Sequence, residues 1–195
     1  MADTREKLST TTVALHWLIG LTIIAMVLFG LYIGSIHCGD DTVCKASKST
    51  LTALHKSIGM LVLVFASWRL LRRLAIGLPP HVGVYAAWEN VLATLTHIVL
   101  LAATLALPLS GIAYSLTSGF PVAVFGIPVI PKLMERDKPW ADFLHESHET
   151  LGWILLGVIA LHIAGALKHS IIDGDGTMKR MLGARVEPVG DKEIV

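Results

Sequence analysis

Long apolar stretches alternate with short polar ones along this chain, and four of them pass the length of about 20 residues that a helix needs to cross a bilayer. They run roughly from Val13 to Ile36, Leu51 to Leu74, Trp88 to Leu116 and Leu144 to Leu167. Lipid cannot hydrogen-bond a backbone, so apolar runs of this length are expected to be helices. The pattern predicts an all-α fold: one four-helix transmembrane bundle over 1–195, with residues 168–195 as a tail. The first run is too long for a signal peptide, lacks a small-residue cleavage site and carries His16 at its start, so it is expected to stay as a span. Hydrophobic residues make up 53% of the chain, charged ones 16%, and mean hydropathy is +0.65, which agrees with an integral membrane protein rather than a soluble domain.

Orientation follows from Lys and Arg. One side collects Arg5, Lys7, Arg69, Arg72, Arg73, Lys168, Lys179, Arg180, Arg185 and Lys192; the other has Lys45, Lys48, Lys56, Lys132, Arg136 and Lys138. The excess places both termini in the cytoplasm. Net charge is only +1, and no basic patch with interleaved aromatics points to nucleic acid. Cys38 and Cys44 fall in the loop between the first two spans, on the outer and oxidising side, where a disulfide is expected. A metal-binding pair with the adjacent His37 is the alternative.

Several features read as packing. Gly30 and Gly34 form a G-x-x-x-G in the first span, a spacing that lets helices approach closely. Pro108 is expected to kink the third span, and Trp17, Trp68, Trp88 and Trp153 to lie in an aromatic belt.

Histidine changes the picture. His16, His55, His148 and His162 lie inside the apolar runs, where an ionisable group needs a partner that offsets its desolvation. For neutral imidazole the foremost partner is a metal. His148 and His162 are 14 residues apart, so they share one face of a helix about 21 Å apart. His16 and His162 fall toward the cytoplasmic end, His55 and His148 toward the outer end. Two layers of two suit two bis-imidazole haems stacked in the bundle. No C-x-x-C-H occurs, which excludes covalent c-type attachment and implies haem b. His97 also falls near the cytoplasmic layer; it is either a ligand in place of His16 or a contact to a haem propionate or quinone. His145 lies one turn before His148 and does not share its relation to His162.

LHW at the start of the first span, HKSIG in the second, LPLSG in the third, and HETLG, ALHIAGALKH and DGDGTMKRML around the fourth resemble the bacterial cytochrome b561 family, di-haem cytochromes of the inner membrane. The resemblance runs from about Thr11 to Leu182. Position by position it implies His16, His55, His148 and His162 as haem ligands, the set that depth and spacing select. It also implies a reaction: some members are superoxide oxidases, passing an electron from periplasmic superoxide to ubiquinone. A positive mouth would draw in that anion, with Lys56 and His145 as candidate catalytic groups and Lys138 and Arg136 beside them. Ser9, Thr10, Lys168 and His169 are candidates to hold the quinone. The partners expected are superoxide, quinone and the lipid bilayer. The longer Cys-bearing outer loop departs from the short members and leaves the donor open. One alternative is a cytochrome b membrane subunit of a hydrogenase or dehydrogenase complex, with a protein partner as donor. Another is a non-haem metal channel or transporter built on His145, His148 and Glu149.

Overall fold

The computed structural model describes residues 3–83 and 85–187; Lys192 and the end of the expected tail lie outside the described residues. Four helices, α1 (Thr10–Ser35), α2 (Thr42–Ile76), α3 (Ala87–Thr117) and α4 (Lys138–Leu167), are long and apolar enough to cross a membrane. Each packs on the next, α3 on α4 most extensively, and α4 closes more sparsely on α1, giving an up-and-down bundle.

Local chemistry sets the helix ends. Ser9 caps α1, its Oγ accepting from the Thr12 N–H at 3.2 Å. Asp41 caps α2 by accepting from the Val43 and Cys44 N–H groups at 2.9 and 3.1 Å, which satisfies two otherwise orphaned donors. Because of that cap α2 starts at Thr42, well before the apolar run begins at Leu51. Hydropathy locates what lies in lipid, and the polar turns above it are helical too. Cys44 therefore sits in the first turn of α2 rather than in the loop, and a disulfide joins it to Cys38 with the Cα atoms 5.4 Å apart. Gly77, with φ at +78°, ends α2 in a conformation that glycine adopts freely. α4 likewise begins early, at Lys138, because Asp137 accepts from the Trp140 N–H at 3.3 Å.

α3 carries Pro108 in its interior and runs on as one helix to Thr117. Two expectations need correction. Trp153 lies at the middle of α4 and is exposed there, so it faces lipid rather than an interface. In the G-x-x-x-G, Gly34 meets nothing, while a Cβ at Gly30 would come within 3.0 Å of the His55 ring; Gly30 makes room for an imidazole, not for a helix backbone.

The loop between α3 and α4 holds a small antiparallel hairpin, β1 (Val122–Val124) and β2 (Ile127–Ile130), which the all-α expectation did not contain. Its two-residue turn, Phe125–Gly126, has positive φ at both positions, as the favoured hairpin turns require. The Phe125 N–H donates to Ser57 Oγ at 2.9 Å, tying the turn to α2.

At the opposite end the segment before and within the start of α1 meets residues 180–186. α4 continues through one π-helical turn, Lys168–Ile172, into the short helix α5, Thr177–Met181. Trp17 Nε1 donates to the Met181 carbonyl at 2.8 Å, Arg180 to the Thr4 carbonyl at 3.0 Å, and the Val186 N–H to the Glu6 carbonyl at 2.9 Å. Arg73 and Asp3 form a buried ion pair at 2.8 Å beneath this cap, their side chains only 8% and 5% exposed. Residues 168–187 thus form a folded cover on the end of the bundle away from the hairpin.

Candidate functional site

A single register organises the interior. Positions 14 residues apart recur on all four helices: His16 and Gly30 on α1, His55 and Arg69 on α2, His97 and Gly111 on α3, His148 and His162 on α4. Fourteen residues are just under four turns, so each pair shares a face with about 21 Å between its members. The helices alternate in direction, so the layer on the hairpin side, termed outer for the orientation expected from Lys and Arg, consists of Gly30, His55, Gly111 and His148, and the layer on the side of the termini, termed inner, of His16, Arg69, His97 and His162. Midway between them, seven residues from each, stand Ile23, Val62, Thr104 and Leu155, all buried. Ile23, Val62 and Leu155 belong to the main apolar cluster, together with Leu15, Ile19 and Val27 of α1. Thr104 satisfies its hydroxyl on the Leu101 carbonyl at 2.8 Å. A buried, mainly apolar layer therefore separates the two histidine layers.

Within each layer two imidazoles lie close together, the planes of His55 and His148 at 84° and those of His16 and His162 at 58°. The His55 and His148 ring centres are 6.2 Å apart, and those of His16 and His162 are 6.0 Å apart. Two imidazoles sharing one metal, each at a metal–nitrogen bond of about 2 Å, have ring centres roughly 6 Å apart. Glycine lines the outer pair from both sides: a Cβ at Gly30 or Gly111 would come within 3.0 or 3.1 Å of the His55 or His148 ring. The His55 Nδ1 is buried without a hydrogen-bond partner. His148 is held from behind, its Nδ1 lying 2.9 Å from Ser110 Oγ and 3.1 Å from the Leu107 carbonyl. Ser110 itself donates to that carbonyl at 2.7 Å. Its hydroxyl proton is committed there, so Nδ1 carries the imidazole proton and shares it between the two oxygens. Nε2 is left as the free donor nitrogen, in the manner of metal-binding histidines.

His97 comes closer to His162, with ring centres at 5.1 Å and the planes nearly perpendicular. That is an edge-to-face contact, shorter than two rings on opposite sides of one metal require. Arg72 and Arg73 of the basic cluster are tied to Ser9 and Asp3, while Arg69 stands within electrostatic reach of His16, His97 and His162. In the sequence Arg69 counted only among the Lys and Arg residues that set orientation. The 14-residue step from His55 was the signal that could have placed it beside the inner histidines.

The candidate mouth residues divide over two flanks of α3. Lys56 reaches Ser115, Nζ to Oγ at 2.8 Å, and lies 5.5 Å from the Phe120 ring centre. His145 is exposed and packs edge-on against Tyr114, ring centres 5.0 Å apart. Lys138 is paired with Asp142. The candidate quinone residues also separate. Ser9 bonds Thr12 and Arg72; Lys168 bridges Glu89 and Asp173 at 2.6 and 2.9 Å, and His169 bonds Asp173 at 2.7 Å while stacking 4.2 Å from Tyr85. Tyr85 in turn donates to the buried Asp175. Lys168 holds the Asp173 carboxyl below its ordinary pKa. Burial, and then the hydrogen bond to Asp175, push the Tyr85 phenol up.

Imidazoles paired at two depths of an apolar four-helix interior suit one class, membrane electron carriers that hold haem non-covalently. Residues 7–184 match the family described as prokaryotic cytochrome b561, and the chain belongs to it. It is similar to cytochrome b561 homolog 2 of Escherichia coli (strain K12), 32% identical over 181 residues that cover 93% of this chain and 94% of the relative. Cytochrome b561 homolog 1 of the same organism is 31% identical, covering 92% and 99%. The probable superoxide oxidase CybB of Yersinia pestis is 28% identical, covering 91% and 96%. The protein is thus a multi-pass b-type haem protein of the bacterial inner membrane that transfers electrons. The channel reading falls with this assignment, and among the described residues no three His, Cys, Asp or Glu side chains, His145, His148 and Glu149 included, converge into a metal site.

Proposed function

We propose that the chain holds two b-type haems, one ligated by His55 and His148 in the outer layer and one by His16 and His162 in the inner layer, and that it carries electrons inward from superoxide to ubiquinone. The observation that carries this reading is the pair of ring separations, 6.2 and 6.0 Å, at the two levels set by the 14-residue register. When bound, haem b supplies reversible one-electron storage. The protein orients the ligands: Ser110 and Leu107 fix the His148 ring, and Gly30 and Gly111 leave space beside the outer pair. Lys56 provides a cation one residue from His55, where an incoming anion is attracted. The separation of His16 from His162, 6.0 Å against 5.1 Å for His97, favours His16 as the second ligand.

The reaction balances as two superoxide ions and one quinone, with two protons, giving two dioxygen molecules and one quinol. Protons are consumed at the quinone, so that end needs acid groups. The Tyr85, Lys168, His169 and Asp173 network supports this role at the inner end, which the excess of Lys and Arg assigns to the cytoplasm, with both termini. Ser9 is bound into the Asp3, Thr12 and Arg72 group, so we assign quinone contact to Lys168 and His169. The name of the Yersinia relative supports the choice of donor.

The test is rapid mixing of the oxidised holoprotein with potassium superoxide, with and without a ubiquinone analogue. Reduction of the haem bands, and their reoxidation only when quinone is present, is the expected result. A second reading, a membrane subunit fed by a partner's iron–sulfur centre, is supported by the exposed apolar side chains Phe125, Ile127 and Val129 on the outer hairpin. Haem that superoxide leaves oxidised would select that reading.

A further inference from the structure

An open cleft of about 630 Å³ lies on the outer side, beside Lys56. Its walls are Ile36 of the α1–α2 loop, the α2 face that carries Lys45, Lys48 and Lys56, and Phe120 and Pro121 before the hairpin. The three lysines lie on one stripe of α2 and, from first to last, span 11 residues, or about 16 Å of helix. α2 has 35 residues, about 52 Å against a hydrocarbon layer of about 30 Å. Its first turns therefore stand clear of the apolar layer. The cavity begins in water at Lys45 and ends at the level of His55.

The charge in this cavity is positive and largely unpaired. Lys56 is held by a hydroxyl and Lys48 by the Ile36 carbonyl at 2.9 Å; Lys45 meets only Asp40, at 4.0 Å, and that carboxylate is fully exposed. Among the described residues no Asp or Glu lines the cavity. Superoxide does not account for such a space. A diatomic ion is of the order of one water, about 30 Å³, whereas the cavity has the size of a site for an organic molecule. Its walls are mostly carbon, which offers nothing to a bare diatomic anion and suits a flat apolar skeleton.

We infer that this cavity binds a small organic anion, with an aromatic or alicyclic body against Ile36, Phe120 and Pro121 and its negative oxygens between Lys48 and Lys56. The occupant neutralises Lys56 and so controls the entry of smaller anions to the His55 layer. An anionic lipid headgroup shares the charge but belongs lower, at the bilayer surface; the opening at Lys45 favours a soluble ligand.

The test uses oxidised holoprotein in phosphatidylcholine nanodiscs, titrated with para-fluorobenzoate and followed by fluorine NMR, with neutral para-fluorobenzamide as the control. Saturable binding of the benzoate, at least about tenfold tighter than the amide, is expected. Lys45→Gln and Lys48→Gln should each weaken it about threefold to fivefold, the effect of losing one solvent-accessible ion pair, with the haem spectrum unchanged. Absence of saturable binding, equal affinity for the amide, or indifference to both substitutions would overturn the inference. So would loss of binding in phosphatidylglycerol discs at salt that screens the surface potential, because a headgroup would then be the occupant. No electron donor is added, so this result is independent of whether superoxide reduces the haems.

Discussion

Ser110→Ala isolates the support behind one haem ligand. Ser110 Oγ and the Leu107 carbonyl share the His148 Nδ1 proton at 2.9 and 3.1 Å, so removing the hydroxyl takes away one of two acceptors. A hydrogen bond of this kind contributes about 0.5 to 1.5 kcal/mol net, and the remaining carbonyl puts the loss at the lower end, about 0.5 to 1 kcal/mol. A weaker acceptor behind Nδ1–H makes imidazole a poorer donor through Nε2 and stabilises oxidised iron less, so the reduction potential rises. At 59 mV per factor of ten for one electron, the loss corresponds to about 20 to 45 mV. Spectroelectrochemical titration of the purified variant beside the parent protein reads this directly, the two proposed haems being expected as separate waves. Haem content should stay at two per chain, and only the outer wave should move. An unmoved outer wave, or a shift confined to the inner one, would refute the assignment of His148 to the outer haem or the role given to Ser110.

The remaining predictions address the other layers and the two ends. His148→Ala and His162→Ala should each lower haem content from two per chain toward one, measured by pyridine haemochrome; two haems retained in both variants would sink the ligand set. Asp3→Asn should destabilise the inner cap by up to about 3 to 5 kcal/mol, the cost of breaking a buried pair, seen as a lower melting temperature and faster proteolysis before α1. Burial raises the Asp3 pKa, but the Ser9 N–H, Arg73 and Thr12 outweigh it and hold the carboxyl below its ordinary range. Its contribution should be intact above pH about 3.9 and disappear as pH falls through the depressed native value. Lys56→Gln should slow reduction by superoxide and flatten its dependence on ionic strength without loss of haem; an unchanged rate would remove Lys56 from the steering role. Alkylation of native protein isolated without reductant should find no free thiol at Cys38 or Cys44, and two labelled thiols would contradict the bridge.

Length and hydropathy alone determined that four helices cross the membrane, because lipid admits no unpaired backbone and each run is long enough to span it. They also determined that histidines lie at two depths, since helical rise converts sequence spacing into distance. Which faces turn inward was not legible. α1 is apolar all round, and a helix equally happy against lipid or protein carries no amphipathic stripe to read; its buried stripe of Leu15, Ile19, Ile23 and Val27 is set by the neighbours that pack on it, α2 and α4. Packing likewise decided that Gly30 faces an imidazole, that His97 meets His162 edge-on and that Arg69 serves the inner layer. The hairpin at Phe125–Gly126 escaped detection because its turn lacks the usual Asn or Asp and its strands are too short to show alternation; Ser57, far away in sequence, holds it in place. Depth along a helix is local and can be counted from the chain, but azimuth around it is fixed by contacts with other helices, and those belong to the tertiary structure.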